Sequence, residues 1–168
     1  MIYLANDHGG VDLKNKIIKY FEKHNIEFVD LGTDSKESVN YVDYAKHLCK
    51  KVLENEQNKG ILICKSGLGM SIAANRFKGI RAGLCYTKKA SKLARLHNDC
   101  NVLVLKGKTL FFRQIVNNFL TTKFEGGRHL ARINSIDDKS WNNFLLNDNW
   151  HKNQRMVKFK VWKFLKEQ

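Results

Sequence analysis

The sequence has no proline and no long uninterrupted apolar segment. No run approaches the roughly 18 apolar residues of a membrane span, and the start, MIYLANDHGG, lacks the charged and then apolar layout of a signal peptide. The four cysteines, at positions 49, 64, 85 and 100, form no CxxC pair, and no two histidines stand at ligand spacing. We therefore expect a cytoplasmic protein with reduced thiols and without a disulfide framework, a zinc site or a membrane span.

A compact basic segment is also missing, although 30 Lys and Arg residues stand against 16 Asp and Glu residues, a net charge of +14. Such a charge attracts nucleic acid, anionic membranes and phosphorylated metabolites alike. Because the chain has no Lys/Arg run and no RNA motif with interleaved aromatic residues, we do not expect nucleic acid as a partner.

Short apolar runs alternate regularly with amphipathic stretches. The pattern predicts strands at 2–5, 26–32, 60–64, 80–86 and 101–107, and helices at 11–24, 41–56, 68–77, 88–98 and 109–122. Parallel strands need crossover connections, and continuous apolar runs fit strands covered on both faces. The predicted fold class is α/β: a Rossmann-like, doubly wound, five-stranded parallel sheet with helices on both faces, plus a C-terminal extension.

Polar residues follow the predicted strands. In a doubly wound sheet, ligands bind outside the carboxyl ends of the strands, where the loops into the helices gather. The candidates there are Asp7 and His8 after strand one, Tyr41 after strand two, and Cys64 and Ser66 after strand three. These residues are predicted to share one rim of the sheet, whereas His97 and Asn98 fall at the end of the helix before strand five.

The loop KSGLGMS, residues 65–71, has features of a ligand-binding turn. Gly67 and Gly69 allow a tight turn that brings backbone N–H groups close to a ligand, and the following helix offers the positive end of its dipole. Beside that terminus and next to Lys65, the Cys64 thiol should have a pKa below the free value of about 8.5. The loop matches neither a Walker motif nor GxGxxG, which disfavours ATP and dinucleotides.

Several segments, in order and spacing, carry a resemblance to a known family. They are NDHGG (6–10), LKNKI (13–17), DLGT (30–33), GILICKSGLGMSIAANRFKGIRA (60–82), ARLHNDCNVLVL (94–105) and FEGGRHLARI (124–133). Over residues 1 to about 136, the chain resembles the type B ribose-5-phosphate isomerases, which share a family with galactose-6-phosphate and allose-6-phosphate isomerases. The domain boundaries that follow are residues 1–138 for a sugar-phosphate isomerase and 139–168 for a basic, Trp-containing extension of unknown role.

The resemblance implies four catalytic residues: Cys64, Asp7, His97 and Ser66. Cys64 matches the general base that moves a proton between C1 and C2 of the opened sugar. Asp7 and His97 match residues implicated in opening the furanose ring and shuttling protons. Ser66 matches a Thr or Ser position whose hydroxyl faces the oxygen that becomes an enediolate. The other three cysteines are expected to be core residues.

The resemblance also implies a set of substrate-binding residues: His8, Tyr41, Gly67, Gly69, Asn98, Arg128 and Arg132. Of these, His8 and the two arginines match a phosphate clamp, a role suited to guanidinium donors. No metal or organic cofactor is implied. The implied assembly is a homodimer or homotetramer in which each active site borrows residues from a neighbouring subunit.

Alternatives and departures from the family pattern remain. The substrate could be a six-carbon sugar phosphate, or the chain could be an inactive homologue that binds sugar phosphate or nucleic acid. Lys65 stands where the family usually has glycine. A lysine backbone would be strained there if the position needs a positive φ. Val42 replaces a proline after Tyr41.

Overall fold

A computed structural model describes residues 1–136, and the predicted extension at 139–168 lies outside the described residues. Five strands form the sheet: β1 (Ile2–Asn6), β2 (Phe28–Asp30), β3 (Lys59–Cys64), β4 (Ala82–Leu84) and β5 (Val102–Lys106). The helices are α1 (Val11–Lys23), α2 (Tyr41–Leu53), α3 (Leu68–Ala74), α4 (Lys88–Leu96), α5 (Phe112–Thr121) and α6 (Arg128–Ile136), with a short 3-10 turn at His8–Gly10 before α1. All pairings are parallel, in the order β2-β1-β3-β5-β4, which confirms the predicted fold class.

Alternating side chains of the central strands fill two cores, one on each face of the sheet. Leu4, Ile61, Ile63, Leu103 and Leu105 face α1, α4 and α5, while Ala5, Leu62, Val102, Val104 and Cys64 face α2 and α3. Most of these residues are fully buried. Cys64 therefore ends a core strand on the same face as the two helices that begin at Tyr41 and Leu68.

The predicted elements are confirmed, with shorter edge strands and one addition. The predicted strands at 26–32 and 80–86 reduce to three residues each because both lie at the edges of the sheet. Helix α6 was not predicted; it begins just after two glycines with positive φ, Gly126 and Gly127. Over residues 1–136, no helix is both long and apolar enough to cross a membrane.

Candidate active site

The carboxyl ends of β1, β3 and β5 are joined closely by backbone contacts. The Asp7 N–H donates to the Ile63 carbonyl over 3.1 Å, and the Gly107 N–H donates to the Cys64 carbonyl over 2.8 Å. A Cβ added at Gly9 would lie 2.7 Å from Lys65 Cβ. The three loops therefore pack directly on one another, which brings Asp7 beside Cys64.

Cys64 and Asp7 form the buried centre of this rim. Asp7 is 2% exposed and Cys64 is 7% exposed. Asp7 Oδ1 accepts the Gly9 N–H over 2.8 Å, which orients the carboxylate. The Cys64 thiol hydrogen-bonds with the Asp7 carboxylate. An acid-base pair thus lies at the end of the central strand.

The prediction of a lowered thiol pKa is wrong. Burial raises the pKa of Cys64 above its ordinary value, and the hydrogen bond and negative charge of Asp7 raise it further. Hydrogen bonds from the backbone N–H groups of Gly67 and Ser66 lower the thiol pKa, but their effect is smaller than that of burial and Asp7. The resting group is therefore a thiol that donates to a carboxylate.

The remaining cysteines have the predicted core role. All four cysteines are free, and Cys49, Cys85 and Cys100 are buried. Burial raises the pKa of Cys49 and Cys85 to about 12 and that of Cys100 to about 11. These three thiols stay protonated across the physiological range.

Gly67 and Gly69 shape the turn into α3, and the second of them contacts Tyr41. Gly67 has a φ of 86°, a conformation that favours glycine. A Cβ at Gly69 would lie 2.6 Å from Tyr41 Cζ, so the ring packs directly on this glycine. Ser66 is exposed, and its Oγ accepts the Leu68 N–H over 3.3 Å. The structure brings these predicted residues to the rim beside Cys64.

His8 is held on the same rim by the segment that precedes α2. Its Nδ1 accepts the Val39 N–H over 3.3 Å. The start of that segment is anchored by Lys14, whose fully buried Nζ lies 2.8 Å from Asp30 and 2.7 Å from Asp34. Burial alone would lower the pKa of Lys14, but these two carboxylates outweigh it and raise the pKa.

The two departures from the family pattern are accommodated locally. Non-glycine residues with positive φ in the described chain are Asn25, Asp99 and Phe111, so Lys65 lies outside the left-handed region and bears no strain of that kind. Val42, unlike a proline, has an N–H, and it donates to Asn40 Oδ1 over 3.1 Å to cap α2.

The other predicted residues lie at the opposite edge of the sheet. Helix α4 runs from the carboxyl end of β4 to the amino end of β5, so His97 and Asn98 reach the amino edge. Arg81, which precedes β4, donates to the Asn98 carbonyl over 3.1 Å. At about 3.3 Å per residue, β3 places Cys64 about 16 Å beyond that edge. A single chain does not bring His97 to Cys64.

Helix α6 and the loop before it join this second group. Arg128 and Arg132 are exposed one turn apart on α6. The Glu125 N–H donates to the Leu96 carbonyl over 3.0 Å, which fixes the loop to the end of α4. The predicted site residues therefore fall into two groups, one at each edge of the sheet.

The structure also assembles a group that the sequence analysis missed. The His97 and His129 rings stack with centroids 4.4 Å apart and planes 10° apart. Glu125 Oε2 lies 3.5 Å from His97 Nε2 and 3.8 Å from His129 Nε2. The i,i+4 spacing of Glu125 and His129 was a visible signal of their proximity, but the contact with His97 was not.

This trio is the one set of potential metal ligands among residues 1–136, with donor atoms within 4.8 Å of one another. A tetrahedral ion would need the lone pairs of both imidazoles to converge on one point. Because the rings are stacked with nearly parallel planes, their lone pairs do not converge. The arrangement suits proton sharing better than metal binding.

Comparisons with known proteins agree with this architecture. A profile of the Ribose/Galactose Isomerase family matches residues 2–136. Ribose-5-phosphate isomerase B of Escherichia coli is 40% identical over 133 residues, which are 77% of this chain and 89% of that protein. The ribose 5-phosphate isomerase structure from Thermotoga maritima has a TM-score of 0.78 at 50% identity and covers 81% of this chain and 96% of its own.

A second solved structure is informative because it contains a sugar phosphate. Ribose-5-phosphate isomerase B of Mycoplasma genitalium, solved with bound ribulose-5-phosphate, has a TM-score of 0.76 at 38% identity. The match covers 80% of this chain and 92% of that one. Together with a profile match over residues 2–136, these likenesses show that the chain belongs to the ribose/galactose isomerase family.

Proposed function

We propose that the protein interconverts D-ribose 5-phosphate and D-ribulose 5-phosphate. The observation that carries the proposal is the buried Cys64–Asp7 pair at the carboxyl edge of a sheet of this family. Relatives with that activity match four fifths of the chain, and one of them was solved with ribulose-5-phosphate. Aldose–ketose isomerisation needs a base close to a carbon acid and donors for the enediolate oxygen.

Cys64 is the proposed base. Its thiol proton passes to the Asp7 carboxylate along their hydrogen bond, which leaves a thiolate. The thiolate takes the C2 proton of the open-chain aldose, and the electron pair of that C–H bond forms the enediolate. Return of the proton to C1, with transfer of the O2 hydroxyl proton to O1, gives the ketose, so the net change is one proton moved from C2 to C1 and one moved from O2 to O1.

The turn after Cys64 supplies the proposed donors. The N–H groups at the start of α3, near Gly67 and Gly69, have no partners inside the helix and carry the positive end of its dipole. Ser66 adds an exposed hydroxyl at the same turn. Tyr41, packed on Gly69, borders the space where the sugar would lie. Donors fixed in this way stabilise developing negative charge without reorganisation.

We further propose that two copies of the chain complete each site. His97, Asn98, Arg128 and Arg132 lie at the amino edge, too far from Cys64 to share one substrate with it in a single chain. Large apolar side chains are exposed near the Cys64 rim: Leu68, Ile72, Leu110 and Phe111. A second copy covering this apolar surface would bring its His97 and arginines to the sugar and its phosphate, alongside His8.

The cellular setting and the domain boundaries remain proposals. We place the activity in the cytoplasm, because four free thiols fit a reducing compartment. Residues 1–138 would form the isomerase, and the matched region, 2–136, supports that boundary.

The test is metal-free conversion of ribose 5-phosphate to ribulose 5-phosphate by the full chain. We expect turnover that Cys64→Ala lowers by about 10³-fold or more, with sugar-phosphate binding retained. Cys49→Ala is the matched control, since Cys49 is a buried thiol on the same face of the sheet. Near-normal turnover by Cys64→Ala would refute the cysteine base. Faster turnover of allose 6-phosphate or galactose 6-phosphate would establish the six-carbon alternative, and binding without turnover would establish the inactive homologue.

A further inference from the structure

The His97 imidazole lies against a second imidazole and close to a carboxylate. His129 is 6% exposed, and its buried Nε2 has no hydrogen-bond partner in the described part of the chain. Glu125 Oε2 lies 3.5 Å from His97 Nε2 and 3.8 Å from His129 Nε2. A buried nitrogen without a hydrogen-bond partner costs free energy, and its presence in a folded protein calls for a functional explanation.

We propose that Glu125 and His129 are positioning residues that fix the plane of the His97 ring and keep the shared proton on His97. His97 then acts as the acid that protonates the ring oxygen when the cyclic sugar phosphate opens. The C1 hydroxyl proton passes to solvent water in the same step, so the bond between C1 and the ring oxygen breaks as the aldehyde forms. This inference rests on the proposed function, because it requires a cyclic sugar phosphate as substrate.

The first argument concerns where the proton resides. Two imidazolium rings stacked 4.4 Å apart would repel each other, so the stacking disfavours positive charge on both rings at once. Burial lowers the pKa of His129, and the charges of His97, Arg128 and Arg132 lower it further against the opposing effect of Glu125. The side chain of His97 is 34% exposed, which leaves it better solvated than that of His129 at 8%. Protonation of His129 is therefore disfavoured.

The charged groups around the pair leave Glu125 as the counter-charge. Helix α6 contributes Arg128 and Arg132, both positive. At the end of α4, Arg95 and Asp99 pair with each other over 2.7 Å. Glu125 is thus the carboxylate that stabilises the His97 imidazolium.

The second argument concerns geometry. The Glu125 N–H donates to the Leu96 carbonyl over 3.0 Å, directly beside His97. The His129 N–H donates to the Gly126 carbonyl over 3.1 Å within the turn that starts α6. The carboxylate and the stacking ring are therefore both fixed relative to the end of α4. A general acid held in this way needs little reorganisation to reach its substrate.

The experiment separates ring opening from proton transfer at carbon. Ribulose 5-phosphate cannot form a furanose, because its 5-hydroxyl is esterified, so exchange of its C1 proton with solvent deuterium reports enediolate formation alone. We expect Glu125→Gln to lower kcat/KM for ribose 5-phosphate at least about tenfold while exchange stays within about twofold of the wild-type rate. Loss of activity at alkaline pH should begin at a lower pH in this variant, because a carboxylate stabilises the imidazolium.

Matched variants exclude a merely structural role. Glu22→Gln removes an exposed carboxylate from α1 and should change neither assay. His129→Phe keeps a stacking ring without a proton and should retain more activity than His129→Ala. Equal losses in both assays for Glu125→Gln, or an unchanged pH profile, would overturn the inference.

A titration without turnover distinguishes this inference from the proposed function. Measured by NMR on the full chain, the pKa of His129 should rise in His97→Asn and fall in Glu125→Gln, because His97 lowers that pKa and Glu125 raises it. A His129 pKa that moves in neither variant would overturn the proton placement. Absence of both turnover and exchange in the unmodified protein would refute the proposed isomerase activity, and the titration would still decide where the proton lies.

Discussion

Replacing Gly69 by alanine should displace Tyr41 without weakening the fold. A Cβ at this position would lie 2.6 Å from Tyr41 Cζ, 2.8 Å from Cε2 and 2.9 Å from the hydroxyl oxygen. Because carbon atoms pack at about 3.5 Å or more, the ring must move by about 1 Å. Tyr41 is 37% exposed, so the ring can move outwards. Gly69 lies inside α3, where alanine is favoured over glycine by about 1 kcal/mol, so the free energy of unfolding should stay level or rise.

The expected functional effect is large, because a displacement of about 1 Å in a catalytic site can cost about 10²-fold in rate. The assay is kcat/KM for ribose 5-phosphate in a double-mutant cycle of Gly69→Ala and Tyr41→Ala, with urea unfolding in parallel. If the ring transmits the effect, Gly69→Ala should cost little in the Tyr41→Ala background. An equal cost in both backgrounds would refute this reasoning and assign the effect to the amides of α3. A clear loss of stability would show that the clash falls on the backbone instead.

Two further predictions concern buried charges. Asp7→Asn should lower the pKa of the Cys64 thiol, because the hydrogen bond and charge of Asp7 raise it. The measurement is a pH titration of thiolate absorbance near 240 nm, with Cys64→Ala as the reference. An unchanged or higher thiol pKa in Asp7→Asn would contradict the pairing. Lys14→Met should lower the free energy of unfolding by about 2 kcal/mol, less than the roughly 3–5 kcal/mol of a fully buried pair, since the Asp34 side chain is 89% exposed. Because the pKa of Lys14 is raised in the folded protein, this contribution to stability is fully present below the ordinary lysine pKa of 10.5 and is lost as the pH rises above it. An equal loss of stability in Lys16→Met, on the exposed face of α1, would contradict the assignment.

The sheet and one half of the site were predictable because they depend on local patterns. Apolar runs marked the central strands, and in a parallel sheet the residues after them must meet at one rim. That rule alone predicts that Asp7 and Cys64 lie together. The pKa of Cys64 was not predictable, because the helix N-terminus is visible in the sequence whereas burial and contact with Asp7 come from the packing of three loops.

The second half of the site depends on contacts that no local pattern encodes. Helix α6 is only nine residues long, and the loop before it is held to the end of α4 by the hydrogen bond from Glu125 to Leu96. The stacking of His97 on His129 follows from that approach. The resemblance to a family supplied His97 and the arginines as site residues, and the parallel pairing of β4 with β5 places His97 at the edge of the sheet opposite Cys64.

A protonated resting thiol is consistent with a base that must act on a carbon acid. A thiolate with a raised pKa is the stronger base once formed, although a smaller fraction of it is present at neutral pH. Asp7, which contributes to that raised pKa, is also the acceptor proposed for the thiol proton during the reaction. The resting thiol also resists oxidation, since oxidants attack the thiolate. In the proposed mechanism, the amides of the α3 N-terminus, which do not outweigh the effect of burial on the Cys64 pKa, stabilise the negative charge that develops on the enediolate.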